Sequence, residues 1–104
     1  MKLPLQIPPM LAVAAEPFNS PDYLFEIKWD GLRCLAFLTN TTLLQSRNLR
    51  EISFQYPELT DLHKKVKKSG TILDGEVIVL EAGKPSFFRL QSRMHATSEQ
   101  SIKY

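Results

Sequence analysis

Cys34 is the only cysteine in this 104-residue chain, so no disulfide can form within it. His63 and His95 stand far from Cys34 and from each other, which leaves no zinc-ligand spacing. A chain that folds without disulfides suits a reducing compartment, and a cytoplasmic location is expected. Long apolar runs are missing as well. Pro4, Pro8 and Pro9 interrupt the N-terminal apolar stretches. Those stretches fall short of the roughly 7–15 unbroken residues of a secretory signal and of the about 20 of a membrane span. No membrane partner is expected. Charge of one sign is also lacking: 13 Lys and Arg against 11 Asp and Glu leave +2, too little to mark a nucleic-acid binder by net charge. Glycine is sparse, four residues in all, and neither glycine-rich phosphate loop, G-x-x-x-x-G-K-[ST] or G-x-G-x-x-G, occurs. A nucleotide has to be held by another device.

What remains is an ordinary globular balance, 43% hydrophobic and 23% charged, in a length that suits one domain. Residues 1–22 read as a proline-rich arm, with Pro4, Pro8, Pro9, Pro17 and Pro21 fixing φ and removing donors. A short helix is possible near residues 10–15. Leu5, Ile7, Met10, Leu11 and Val13 are apolar enough to pack on the body. Residues 23–29 alternate as a strand, with Tyr23, Phe25, Ile27 and Trp29 toward the core and Leu24, Glu26 and Lys28 on the other face. Asp30-Gly31 signals a turn. Strands over 32–38 and 41–46 complete an expected antiparallel meander, and residues 47–54 read as a loop.

Leu59, Leu62 and Val66 predict a helix over 57–68, ended by Ser69-Gly70. Lys64, Lys65, Lys67 and Lys68 then read as a solvated last turn, with a DNA patch as the alternative. Residues 71–80 read as a strand with Ile72, Asp74, Glu76 and Ile78 on one face. A turn is expected at residues 82–85. Ser86 is the expected cap of a helix that carries Phe87, Leu90, Gln91 and Met94 on one side. The fold class is α+β, an antiparallel sheet with flanking helices.

Three groups carry chemistry. In the first, Glu26 and Lys28 share a strand face and the Asp30-Gly31 turn swings Arg33 back toward them. A nucleophilic lysine needs a neutral amine, obtained by desolvation or a nearby cation, whereas Asp30 alone favours the ammonium. A bound Mg²⁺ could supply the opposing charge. The second is Ser46-Arg47-Asn48, either a polar turn or a place where Arg47 offers its planar fork to phosphate. The third is Asp74-Gly75-Glu76, two carboxylates on one face of an otherwise apolar strand. Either they face water at a sheet edge, or they hold a ribose, a metal or an arginine.

These residues resemble a family. Lys28-Trp29-Asp30-Gly31-Leu32-Arg33 matches the K-x-D-G-x-R motif of the covalent nucleotidyltransferases, which are DNA ligases, RNA ligases and capping enzymes. The Ser46-Arg47-Asn48 and Asp74-Gly75-Glu76 elements follow in the family's order, and with Tyr56-Pro57-Glu58-Leu59 they look most like bacterial or archaeal ATP-dependent DNA ligases, including the end-joining type. The resemblance covers residues 3–95. It implies a partial ATP-grasp-like adenylation domain, with residues 23–104 forming its N-terminal part.

The roles implied by the resemblance are these. Lys28 is the nucleophile that takes AMP from ATP. Glu26 helps recognise adenine, Arg33 and Glu76 contact ribose, and Arg47 approaches phosphate. Asp30, Gly31 and Asp74 support them. Mg²⁺ or Mn²⁺ would sit near Glu76, or near Asp30 through water. The implied partner is nicked double-stranded DNA in repair, replication or recombination. The family's later motifs and OB-fold domain are not found, so a fragment is expected, with a separate C-terminal ligase portion as a possible partner. An RNA ligase or capping enzyme, or a non-catalytic binding module, stay open as alternatives.

Overall fold

The structure is a computed structural model that describes Leu3, Pro4 and residues 6–96. Strand β1 (Leu32–Leu38) lies between β2 (Thr42–Ser46) and β3 (Thr71–Val77) in an antiparallel sheet of order β2-β1-β3. Residues 34–38 are all buried, so β1 is covered on both faces. Cys34, Ala36 and Leu38 join Leu44 of β2 and pack on Ile52, Tyr56 and Leu90. Leu38, Leu44 and Leu90 are fully buried, and each contributes about 1.5–3 kcal/mol.

The opposite face carries Leu35 and Phe37, which the register sets beside Gln45 and Leu43 of β2 and Asp74 and Ile72 of β3. The N-terminal arm crosses this face. Gln45, 2% exposed, accepts from the Ile7 N–H at 3.0 Å and donates to the Ile7 carbonyl at 2.8 Å. Those two bonds are the kind a buried amide requires. The arm is otherwise extended, without the helix expected near residues 10–15, and among its described residues Leu3, Ile7, Pro9 and Ser20 are half-buried. Met10, Leu11 and Val13 are exposed, contrary to the packing expected of them. The prolines keep the arm too straight for an apolar stripe to form on it. Leu5 lies outside the described residues.

Residues 23–29 are not a strand. Residues 21–30 are all exposed, and the apolar Tyr23, Phe25, Ile27 and Trp29 face outward. Among the described residues, Tyr23 and Phe25 have Phe18 as their one ring neighbour, at centroid distances of 4.9 and 5.6 Å. Alternation marks a segment that could pair, but it does not supply an edge. Both edges of β1 are taken by β2 and β3, so a hairpin through Asp30-Gly31 has nowhere to form.

The expected helix over 57–68 is replaced by two 3-10 turns, Pro57–Leu59 and Leu62–Lys65. The His63 N–H, which an α-helix would direct at Leu59, donates instead to Thr42 Oγ1 at 2.9 Å. Leu59, Leu62 and Val66 still reach the core, but Val66 is extended. The strand expected to reach residue 80 stops at Val77, and β4 (Leu80–Glu81) pairs with β5 (Lys84–Pro85). Ala82 and Gly83 both have positive φ, 51° and 80°, the pairing that a tight two-residue hairpin demands.

Helix α1 (Phe87–Met94) begins where expected, with Ser86 Oγ accepting from the Arg89 N–H at 3.3 Å. Phe87, Leu90 and Met94 pack on the core, whereas Gln91 is exposed. Arg93 clamps α1 to the chain around Glu58. Its Nη1 and Nη2 reach the two Glu58 oxygens at 2.9 and 2.8 Å, and Nη1 also donates to the Gln55 carbonyl at 3.0 Å.

The Arg93 guanidinium holds the Glu58 carboxyl below its ordinary value. A lowered folded value means the clamp stabilises fully above the unfolded value of about 4.3, and fades as pH falls toward the folded one. Because Glu58 is half exposed, solvent screening limits the contribution to about 0.5–1 kcal/mol. Glu58→Gln should therefore lower stability by that amount at pH 7, and the gap from the parent should close as pH falls through the lowered folded value. Urea denaturation across the acid range measures it.

Candidate active site

The chain enters β1 through Gly31, and the register sets Leu32 opposite Val77. A Cβ on Gly31 would overlap the Val77 carbonyl oxygen and lie 2.7 Å from Ile78 Cγ2. Gly31 does not have positive φ. Glycine is needed here for close approach rather than for a turn. That contact pins the motif segment to the end of β3. Lys28 is three residues away along the chain, a reach of no more than about 11 Å. The next pairs bring the other expected residues to the same end. Arg33 stands opposite Glu76, and Ser46, which precedes Arg47, stands opposite Cys34.

The Arg33 side chain does not point freely at a ligand. Nε and Nη2 hold the two Asp74 oxygens at 2.6 and 2.7 Å, and Nη1 donates to the Met10 carbonyl at 3.0 Å. This is the bidentate fork that suits arginine to carboxylates. The bond to Arg33 lowers the Asp74 pKa, and the same bond raises that of Arg33. Glu76 adds a longer-range attraction for Arg33. Asp74 is thus the carboxylate that fixes Arg33, and the arm is its second anchor.

The remaining expected residues are exposed. Glu26, Lys28, Asp30 and Arg47 all face solvent, and among the described residues no side-chain hydrogen bond or ion pair engages them. Arg47 projects from a polar turn in which Ser46 Oγ accepts from the Asn48 and Arg50 N–H groups, both at 3.3 Å. Leu49 takes a positive φ of 66° there. Asp74 and Glu76 are both exposed on β3, which is an edge strand among the described residues.

Sequence reasoning missed two participants. Gln45 and the Met10 carbonyl tie the arm to the face that carries Arg33. A glutamine within an apolar strand was the available signal for the first, and a main-chain carbonyl leaves none for the second. The opposite sheet face holds an open cavity of about 340 Å³, lined by Ala36, Leu59, Leu62, Leu73, Gly75 and Val77 among others, with Glu76 at its edge. That volume lies at the small end of ligand pockets. Burial pushes the Cys34 thiol, which also lines it, up to about 11, so this cysteine is not a nucleophile at neutral pH. No group of three or more His, Cys, Asp or Glu among the described residues is placed to hold a metal ion.

Comparison with known proteins gives a consistent result. The family model described as ATP dependent DNA ligase domain matches residues 9–104. The SPbeta prophage-derived DNA ligase-like protein LigB of Bacillus subtilis is 39% identical over 93% of this chain and 36% of its own length. The multifunctional non-homologous end joining protein LigD of Mycolicibacterium smegmatis is 34% identical over 90% of this chain and 13% of its own. Among solved structures, a mycobacterial DNA ligase D complexed with ATP and MES superposes with a TM-score of 0.60 at 37% identity. It covers 65% of this chain and 23% of that one. The chain spans little more than a third of the length of the first relative, and less of the other two.

The close approach at residue 31 separates two glycines by test. Gly31→Ala forces backbone apart and should cost about 1–3 kcal/mol. Gly75→Ala, whose Cβ would meet nothing within 4 Å, should change stability by less than about 0.5 kcal/mol. Thermal denaturation of the two variants beside the parent measures the difference.

Proposed function

The chain belongs to the ATP-dependent DNA ligase family, and on that premise we propose that it is the N-terminal part of an adenylation domain that seals nicks in double-stranded DNA. Residues 1–22 are the arm, and residues 23–104 belong to a domain of ATP-grasp-like type. In the first step Lys28 Nζ attacks the α-phosphorus of ATP. The bond to the bridging oxygen breaks, pyrophosphate leaves, the amine proton passes to solvent, and a phosphoramidate holds AMP. The 5′-phosphate of the nick then attacks that phosphorus and frees the lysine. Finally the 3′-hydroxyl attacks the activated 5′-phosphate, AMP leaves, and the strand is closed. Repair, recombination and replication all generate such nicks.

Each side chain has a task in this scheme. Glu26 helps to recognise adenine. Arg33 and Glu76, cross-strand neighbours, address the ribose. Arg33 keeps two of its five N–H donors for this after Asp74 and Met10 are satisfied. Arg47 approaches phosphate, where each well-placed donor is worth about 2–4 kcal/mol of transition-state stabilisation. Asp30 positions the lysine.

A Mg²⁺ or Mn²⁺ ion of the kind used in phosphoryl transfer takes most of its ligands from water and substrate phosphates, with one or two protein carboxylates. Asp30 and Glu76 are exposed and fit that role. Asp74 does not fit, because both its oxygens are committed to Arg33. When bound, the ion neutralises phosphate charge and favours the neutral amine.

The observation that carries the reading is the gathering of the motif residues at one end of the sheet. Gly31 is pressed against Val77, Arg33 lies opposite Glu76, and Arg47 follows the Ser46–Cys34 pair. Purified chain incubated with Mg²⁺ and ATP labelled at the α-phosphate should acquire label, and Lys28→Ala should acquire none while keeping its circular-dichroism spectrum. Lys28 is exposed, so its removal costs the fold little. Label retained on Lys28→Ala would place the nucleophile elsewhere. No label on the parent, even with a C-terminal ligase portion added in trans, would overturn the assignment. Nicked DNA beside nicked RNA separates a DNA ligase from an RNA ligase.

A further inference from the structure

The lysines of residues 64–68 have no part in the chemistry above, and the fold does not treat them as a loose tail. Lys64, Lys65, Lys67 and Lys68 are all exposed. Lys64 makes a surface pair with Asp61 at 3.2 Å, and no ion pair engages the other three among the described residues. The backbone that bears them is fixed at four points. The His63 N–H is held by Thr42 Oγ1 at 2.9 Å, and Val66 packs into the core. The Lys68 carbonyl accepts from Thr71 Oγ1 at 2.6 Å, and the Gly70 N–H donates to the Leu38 carbonyl at 2.9 Å. Val66 is extended and points inward, so Lys65 and Lys67 project outward together. In a chain whose net charge is only +2, this is a rigid cationic rim rather than a share of a diffuse charge.

Its place in the fold gives the rim a use. Leu38 pairs with Thr71 at one end of the sheet, and Leu32 with Val77 at the other. The lysines sit beside the first end and the Lys28 segment enters at the second. The length of β1 separates them, about 20 Å at ~3.3 Å per residue. Along a duplex that distance is about six base pairs.

We propose that residues 64–68 bind the phosphate backbone of duplex DNA about six base pairs from the nick, holding one arm of the substrate while Lys28 works at the break. The proposal rests on the nick-sealing reading for the position of the break. The contact carries no sequence information and contributes affinity through counterion release.

The test uses the full chain, a triple variant Lys65→Gln, Lys67→Gln, Lys68→Gln, and the matching triple Lys→Arg variant. Binding to a nicked duplex with hairpin-closed arms is measured by fluorescence anisotropy from about 50 to 200 mM salt. The Gln variant should bind about tenfold more weakly at the low end. Its dependence of log K on log salt should be shallower by about 2 to 3, at ~0.9 for each phosphate that is no longer neutralised. The Arg variant should match the parent. Trimming one of the two arms to about four base pairs should abolish the parent's advantage, and trimming the other should not.

Label transfer from ATP, which requires no DNA, should be equal in all three proteins. Its failure would count against the nick-sealing reading, not against the rim. Equal salt slopes in parent and Gln variant would overturn the proposal, as would no measurable duplex binding by the parent. An advantage that survives trimming either arm would overturn it too, and would leave the lysines as a solvated edge.

Discussion

Strand β1 is saturated, and the rest of the chain is arranged around that fact. Its residues 34–38 are buried on both faces and paired on both edges, and the β3 ladder runs on through Arg33 and Leu32. A central strand in this state accepts no further partner. The arm can therefore approach only over the face, through Gln45 and Arg33. The segment that carries Lys28 can approach only end-on, at Gly31. The core cluster on the other face draws in Leu59, Leu62 and Val66 even where the backbone between them is not α-helical.

The same constraint organises the candidate site. Because the motif segment cannot lie in the sheet beside β1, its side chains stay exposed, and only the close contact of Gly31 with Val77 fixes their origin. Two supports stand near that origin. The Arg33–Asp74 fork stiffens the outer face of β1 and β3, and the Ser46 turn projects Arg47. Ligand pockets work by bringing a few polar groups to an apolar wall. Here the apolar cavity lined by Leu59, Leu73 and Val77 lies on the sheet face opposite Arg33 and Asp74, and Glu76 also lines it.

Much of this was legible in the sequence, and the exceptions share one cause. The strands expected over 32–38 and 41–46, the Ser86 cap with its helix, and the turn expected at residues 82–85 follow from local pattern and local chemistry; all are present, with the second strand starting at Thr42 and the turn narrowed to Ala82-Gly83. The spacing of Asp74 and Glu76 puts them on one face, with an edge strand as one explanation. The register places both on the face of Arg33. Residues 23–29 and 57–68 depart from the expected strand and helix because period alone argues for those elements. The first alternates perfectly and has no open edge of β1 to join. The second has helical spacing, but Thr42 diverts the His63 N–H. In both, a partner far away in sequence decides the backbone, and pattern along a single segment carries no record of that partner.

Native-state hydrogen exchange separates a Lys28 segment anchored at its end from one paired in the sheet, since it reads the free energy of opening at each amide. The amides of β1 should exchange only through global unfolding, whereas those of Leu24, Glu26 and Lys28 should exchange at close to the rates of an open chain. Alternate amides between residues 23 and 29 protected as strongly as those of β1 would contradict it. Such protection would put Lys28 on a strand of the sheet rather than on a segment anchored at Gly31 alone.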